Sequence, residues 1–153
     1  MKRVLTIIGG FALIAILLVG GFIGYSSYQG RALDASSKEY VDNNIPLIIS
    51  SWSKDQLLNR ASPQLLKVIS EKPDEIDHLF AGFAKLGAMR SYDGSKGDSN
   101  ISYTNTDGKV ITASYVAEAK FANGNARITV RLIQMSGSWQ FLLFNVTSPL
   151  FSP

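Results

Sequence analysis

The sequence predicts an α+β protein: an N-terminal transmembrane helix, then helices packed on a curved antiparallel sheet of four to five strands. Three observations predict it. Residues 4–25 carry no charge and are rich in Ile, Leu, Val, Phe and Gly. Residues 35–86 place apolar side chains at helical spacing, with Ser and Pro at the expected helix starts. Residues 88–147 alternate apolar and polar positions between Gly-containing turns. The expected organisation is a cytoplasmic stub at 1–3, an anchor at 4–25, a linker at 26–34 and one α+β domain at 35–153.

Residues 4–25 have about the length a helix needs to cross a bilayer, roughly 20 residues. Lys2-Arg3 precede them, so the positive-inside rule keeps the N-terminus in the cytoplasm. The domain is then expected outside a bacterial inner membrane, in the periplasm of a Gram-negative host. The alternative is secretion after signal cleavage, but the apolar run exceeds a signal core and no A-x-A-like site follows. Gly20 and Gly24 form a G-x-x-x-G, which ordinary membrane-helix composition also explains. Lys2 and Arg3 also account for most of the net charge of +3. The rest holds 15 − 2 = 13 basic against 12 acidic residues, so nucleic acid is not an expected partner. The chain has no Cys, which excludes disulfides, thiol catalysis, Cys-ligated metals and a lipidated Cys.

After a polar tether, a first helix is expected over 35–52. Tyr40, Val41, Ile45, Ile48, Ile49 and Trp52 form its stripe, and Pro46 should kink or divide it. Ser53-Lys54-Asp55-Gln56 fits a capping box and Ser62-Pro63 an N-cap followed by Pro at N1. Pro73 opens a helix through Leu86 with Asp74, Glu75 and Asp77 near its positive end, and Gly87 fits its stop. Short strands are expected at 88–93 and 100–105, with a mobile loop at 94–99 between them. Thr106-Asp107-Gly108 would turn the second into the next strand, setting Tyr103 beside Ile111.

Three strands follow at 110–121, 126–135 and 139–147. Asn123-Gly124 is the strongest short hairpin signal, because a type I′ turn needs φ > 0 at both central residues. It pairs Phe121 with Ala126, Ala119 with Ile128, Ala117 with Val130 and Tyr115 with Leu132. That face is apolar; the other carries Lys120, Glu118, Arg127 and Arg131. The last strand is apolar on both sides. Leu142, Phe144 and Val146 would share the outer face with Arg131 and form an interface for a homodimer or protein partner. A fold-back of Pro149-Leu150-Phe151, or a three-residue Ser136–Ser138 loop, would change that assignment.

Phe83-Ala84-Lys85-Leu86-Gly87 ends a helix and leads into Ala88-Met89-Arg90-Ser91-Tyr92. Gly137-Ser138-Trp139-Gln140-Phe141 begins the closing strand with a Trp after a Gly turn. In these features, across 35–148, the chain resembles the NTF2-like (cystatin-like) superfamily, whose members curl an antiparallel sheet around helices into an open cone. It is also similar to membrane-anchored proteins of unknown function in that superfamily. In layout it is similar to an inner-membrane scaffold subunit of type IV secretion systems.

The resemblance implies either a membrane-tethered binding or assembly module, or a small-molecule enzyme of the ketosteroid isomerase or polyketide cyclase kind. Such enzymes place an Asp, His or Tyr inside the cone. The expected inner face here offers Tyr115, with Gln134, Asn145 and Trp139 as further pocket candidates, and no carboxylate to serve as general base. No catalytic residue is assigned, and the module is the expected function. His78 is the only histidine and cannot build a His-rich metal site; Asp74 and His78 fit a surface ion pair. No nucleophile elbow, P-loop or dinucleotide fingerprint is present, so no cofactor and no metal is expected.

Overall fold

The computed structural model describes residues 23–25, 30–106 and 108–151. Their architecture is α+β: four helices on one antiparallel sheet whose strands follow chain order, β1-β2-β3-β4-β5. The strands are β1 (Ile23–Tyr25), β2 (Met89–Thr104), β3 (Gly108–Phe121), β4 (Gly124–Met135) and β5 (Ser138–Thr147). The helices are α1 (Gly30–Ile49), α2 (Lys54–Leu58), α3 (Pro63–Glu71) and α4 (Pro73–Phe83). Most of the expected anchor lies outside the described residues. Its last three residues form β1, so the sheet begins where the anchor was expected to end. Among the described residues no helix is long and apolar enough to cross a membrane.

The Ser caps form as expected, but the capping box at Ser53 is only half made: the Ser53 N–H donates to Ile48 O at 2.9 Å, and Gln56 Oε1 accepts from Arg60 at 2.6 Å instead of reaching back. Ser53 accepts the Gln56 N–H at 3.3 Å and Ser62 the Leu65 N–H at 3.2 Å. Helix α1 starts at Gly30, inside the stretch read as a tether, and runs through Pro46 without stopping. Helix α4 gives way at Ala84 to a short 3-10 turn that ends at Gly87, φ +84°. Val41, Ile45, Ile48 and Ile49 of α1 are fully buried, and Trp52 stacks on Phe121 at 5.3 Å. Across the sheet, Ala113, Ala117 and Ala119 keep the inner face of β3 low enough for helices to cover it.

Both early hairpins sit two residues away from the expected register. Phe121 pairs with Gly124, Ala119 with Ala126, Ala117 with Ile128 and Tyr115 with Val130. The turn is therefore Ala122-Asn123, and it has no positive φ. Tertiary bonds override the local preference: the Ala122 N–H donates to Ala88 O and the Asn123 N–H to Leu86 O, both at 2.9 Å. Likewise Tyr103 pairs with Lys109, and Ile101 with Ile111. A shift of two preserves side-chain parity, so the expected inner face survives. One consequence is that Arg127 lies opposite Glu118 and bonds it at 2.7 Å. The type I′ turn occurs instead at Ser136-Gly137, with φ of +52° and +81°.

The last strand departs from expectation in a way that matters. Leu132 pairs with Phe141 but Arg131 pairs with Leu143, so Leu142 is the extra residue of a β-bulge. Beyond it every side chain changes face. Phe144 lies opposite Val130 and Val146 opposite Ile128, both on the inner face, and Val146 is fully buried. Leu142 is buried too. The expected outer row of Leu142, Phe144 and Val146 is thus corrected: only Arg131 remains on the outer face, paired with Leu143. The C-terminal Pro149–Phe151 turn does not cover that face either, since Phe151 packs on Phe83 in the core at 5.9 Å.

Residues 94–99, expected as a mobile loop, are instead part of β2, which is continuous for 16 residues with two register irregularities before Ser95.

Candidate functional site

The densest polar cluster lies where α1 runs along the edge of β2. Asp34, Lys38 and Asp42 recur at i, i+4, i+8 and so share one face of the helix. Facing them, Ser95 and Ser99 share one side of β2. Asp42 Oδ1 accepts the Ser95 N–H at 3.1 Å, the Ser95 hydroxyl at 2.7 Å and the Tyr92 hydroxyl at 2.8 Å. Lys38 Nζ donates to Asp42 Oδ2 and to the Ser95 carbonyl, each at 2.7 Å. Asp34 Oδ1 accepts the Ser99 N–H at 2.7 Å and also its hydroxyl. Two carboxylates and an ammonium thus occupy ladder positions that a further strand would fill. β1 pairs with that same edge only from Ile101 to Tyr103.

Charge follows from these bonds. Burial alone would raise the Asp42 pKa, but hydrogen bonds from Lys38, Ser95 and Tyr92 and the Lys38 charge outweigh it and hold the carboxyl below its ordinary value. Tyr92 moves the other way, pushed up first by burial and then by its bond to the Asp42 carboxylate. The ionised Asp42 carboxylate, held by three hydrogen bonds at Oδ1 and one at Oδ2, ties helix to strand.

The pocket candidates do not share one face of the sheet. Tyr115 is 1% exposed; its hydroxyl shares a hydrogen bond with Ser37 Oγ at 2.7 Å and donates to Asp34 O at 3.0 Å. Its pKa is raised chiefly by burial. Trp139 is buried and donates from Nε1 to Ser36 Oγ at 3.1 Å. Gln134 pairs with Trp139 at the end of the sheet nearest the β2–β3 turn. Asn145 is not on their face: the bulge turns it outward, opposite Thr129. Its Oδ1 is buried without a hydrogen-bond partner among the described residues.

An apolar cleft does exist elsewhere, between α2, α3, α4 and β5. Leu57, Leu65, Ile69, Phe80, Leu143 and Phe144 are among its walls, and its volume is about 20 Å³. That is room for little more than a single water, which needs roughly 10–15 Å³. Phe144, expected on the surface, is one of these walls. His78 is exposed, forms no ion pair with Asp74, and neighbours Asp77, which instead pairs with Lys54. Among the described residues no cluster of His, Cys, Asp or Glu is arranged to hold a metal ion.

The spacing Asp34-Lys38-Asp42 was visible in the sequence, beside the apolar stripe of the same helix. What hid its role was the polar run 94–99, whose partners lie more than fifty residues away. Comparisons with protein-family models, with curated proteins and with solved structures find no match to this chain.

Proposed function

We propose that this chain is a membrane-tethered, extracytoplasmic binding or assembly module of NTF2-like (cystatin-like) character, without evident catalysis. The observation that carries this reading is the fate of Tyr115. The side chain an enzyme of the isomerase or cyclase kind would use is 1% exposed and spends its hydroxyl on Ser37 and Asp34. A general acid or base must reach its substrate, and this one is walled in by helix α1. The NTF2-like likeness draws support from helices stacked on one face of an antiparallel meander.

The tether reading draws on residues 4–22, which stay within the roughly 17–25 residues a spanning helix requires even after β1 is subtracted. Lys2-Arg3 orient it with the domain outside. The surface offered to a protein partner or a second copy is the outer face around Val116 and Arg131, where Val116 is 38% exposed. A C-terminal alkaline phosphatase fusion tests the placement. Phosphatase activity in a bacterial host is the expected result. An inactive phosphatase with an active cytoplasmic reporter at the same site overturns it.

A further inference from the structure

Strand β1 follows directly on the apolar segment in sequence and begins at one end of the sheet. It runs antiparallel to β2, with Ile23 opposite Tyr103 and Tyr25 opposite Ile101. The N-terminal end of β1, at Ile23, therefore lies beside Tyr103, at the end of the sheet that closes at Thr104 and Gly108. Paired strands lie about 4.8 Å apart, so Ile23 is the immediate neighbour of Tyr103. Tyr103 is 56% exposed, more than any other large apolar side chain among the described residues. Its other ladder neighbour is the exposed Lys109. The Ser136-Gly137 turn lies at the same end, since Met135 pairs with Ser138 and Ile133 with Thr112. The far end, at Gly87 and the Ala122-Asn123 turn, is about 40 Å away along the 14 residues of β3.

Building on the tether reading, we propose that the β2–β3 end of the sheet rests on the lipid surface, with Tyr103 and Lys109 at headgroup level. The chemistry of the two side chains suits that boundary. A tyrosine ring is apolar with a polar tip, and favours the membrane–water interface. A lysine keeps its ammonium among anionic headgroups while its stem covers apolar surface. The ladder supplies the geometry. A polar tether would let the domain float, whereas here the first residues after 4–22 are hydrogen-bonded into the sheet. The end bearing Tyr103 is thereby held at the bilayer and the Ala122-Asn123 end pointed away from it.

The chain has no Cys, so single reporters can be placed in the whole 153-residue chain. Tyr103→Cys and Lys120→Cys, each carrying a polarity-sensitive fluorophore, would be reconstituted in vesicles of phosphatidylcholine and phosphatidylglycerol. A fraction of the lipid carries a nitroxide at the headgroup. Quenching several-fold stronger at 103 than at 120 is expected. Lys109→Cys is the second reporter for this end should Tyr103→Cys not fold. Equal, weak quenching at both ends in protein that resists an alkaline wash overturns the inference and leaves the tether standing. Release of the protein by the wash overturns both.

Discussion

Asp42 accepts the backbone N–H of Ser95 at 3.1 Å, so a helix carboxylate stands in for a neighbouring strand at the edge of β2. Asp34 does the same for Ser99, two helical turns earlier in α1. An uncovered edge N–H of a long strand is a template for aggregation; these two are satisfied from within. Asp42→Asn should cost about 1–3 kcal/mol, because a charged acceptor of several bonds is replaced by a neutral one. Denaturant melts of the purified chain would show it. A loss no greater than that of an exposed control such as Asp55→Asn would mean that the edge is not held this way.

The same carboxylate predicts an acid limb. Its folded pKa lies below the ordinary 3.8. A depressed carboxyl contributes stability that is fully present above its unfolded pKa and lost as pH falls through the folded value. Melting temperature should therefore drop at acid pH in the parent chain and drop less steeply in Asp42→Asn. Parallel curves would remove Asp42 from the account.

Alkaline pH works in the opposite sense. Tyr92 and Tyr115 have pKa values raised above the ordinary 10.0, in both cases chiefly by burial. Their contribution is fully present below the unfolded value and is lost as pH rises through the folded values. Tyrosinate absorbance should develop in two stages, with these phenols ionising late or only on unfolding. Tyr92→Phe and Tyr115→Phe should each remove part of the late stage. A single stage at the ordinary value would contradict their placement.

Two glycines are predicted to respond in opposite directions to Ala. A Cβ on Gly97 would lie 1.9 Å from the backbone carbonyl oxygen of Ser114, a contact that only backbone movement relieves. Gly97→Ala should cost about 1–3 kcal/mol or more. At Gly82, inside α4, an added Cβ would meet nothing within 4 Å, and the residue has no positive φ. Gly82→Ala should stabilise by about 0.4–1 kcal/mol by restricting the unfolded chain. Melts of the two variants decide it, and a loss at Gly82 would show that the helix packs more closely there.

Much of this fold was legible from residue patterns. Ser53 and Ser62 announced their helices, because a side-chain cap is a local event. The inner face of β3 and β4 was legible despite a wrong register, because an error of two residues preserves parity. Two features were not. Residues 94–99 lack apolar alternation, since their side of β2 is met by Asp34, Lys38 and Asp42 rather than by the core. The bulge at Leu142 leaves no mark in a strand that is apolar on both sides. A one-residue irregularity then exchanged the faces of Phe144 and Val146, and with them the candidate interface.

That bulge yields the sharpest test. Leu132 pairs with Phe141, Arg131 with Leu143, Val130 with Phe144 and Ile128 with Val146. Deleting Leu142 makes Phe141 and Leu143 consecutive, as Leu132 and Arg131 already are, so every one of those pairs can persist. The deletion removes one buried side chain and the local twist, a loss on the scale of a core truncation, about 2–5 kcal/mol. A folded protein with a lowered melting temperature and near-parent circular dichroism is expected. Deleting Val130, fully buried in the unbulged stretch of β4, should instead turn half of that strand inside out and abolish folding. If β5 were regular, the Leu142 deletion would itself reverse Phe144 and Val146 and unfold the protein. Cooperative melting of the Leu142 deletion beside an unfolded Val130 deletion therefore supports the bulge, and two unfolded chains would refute it.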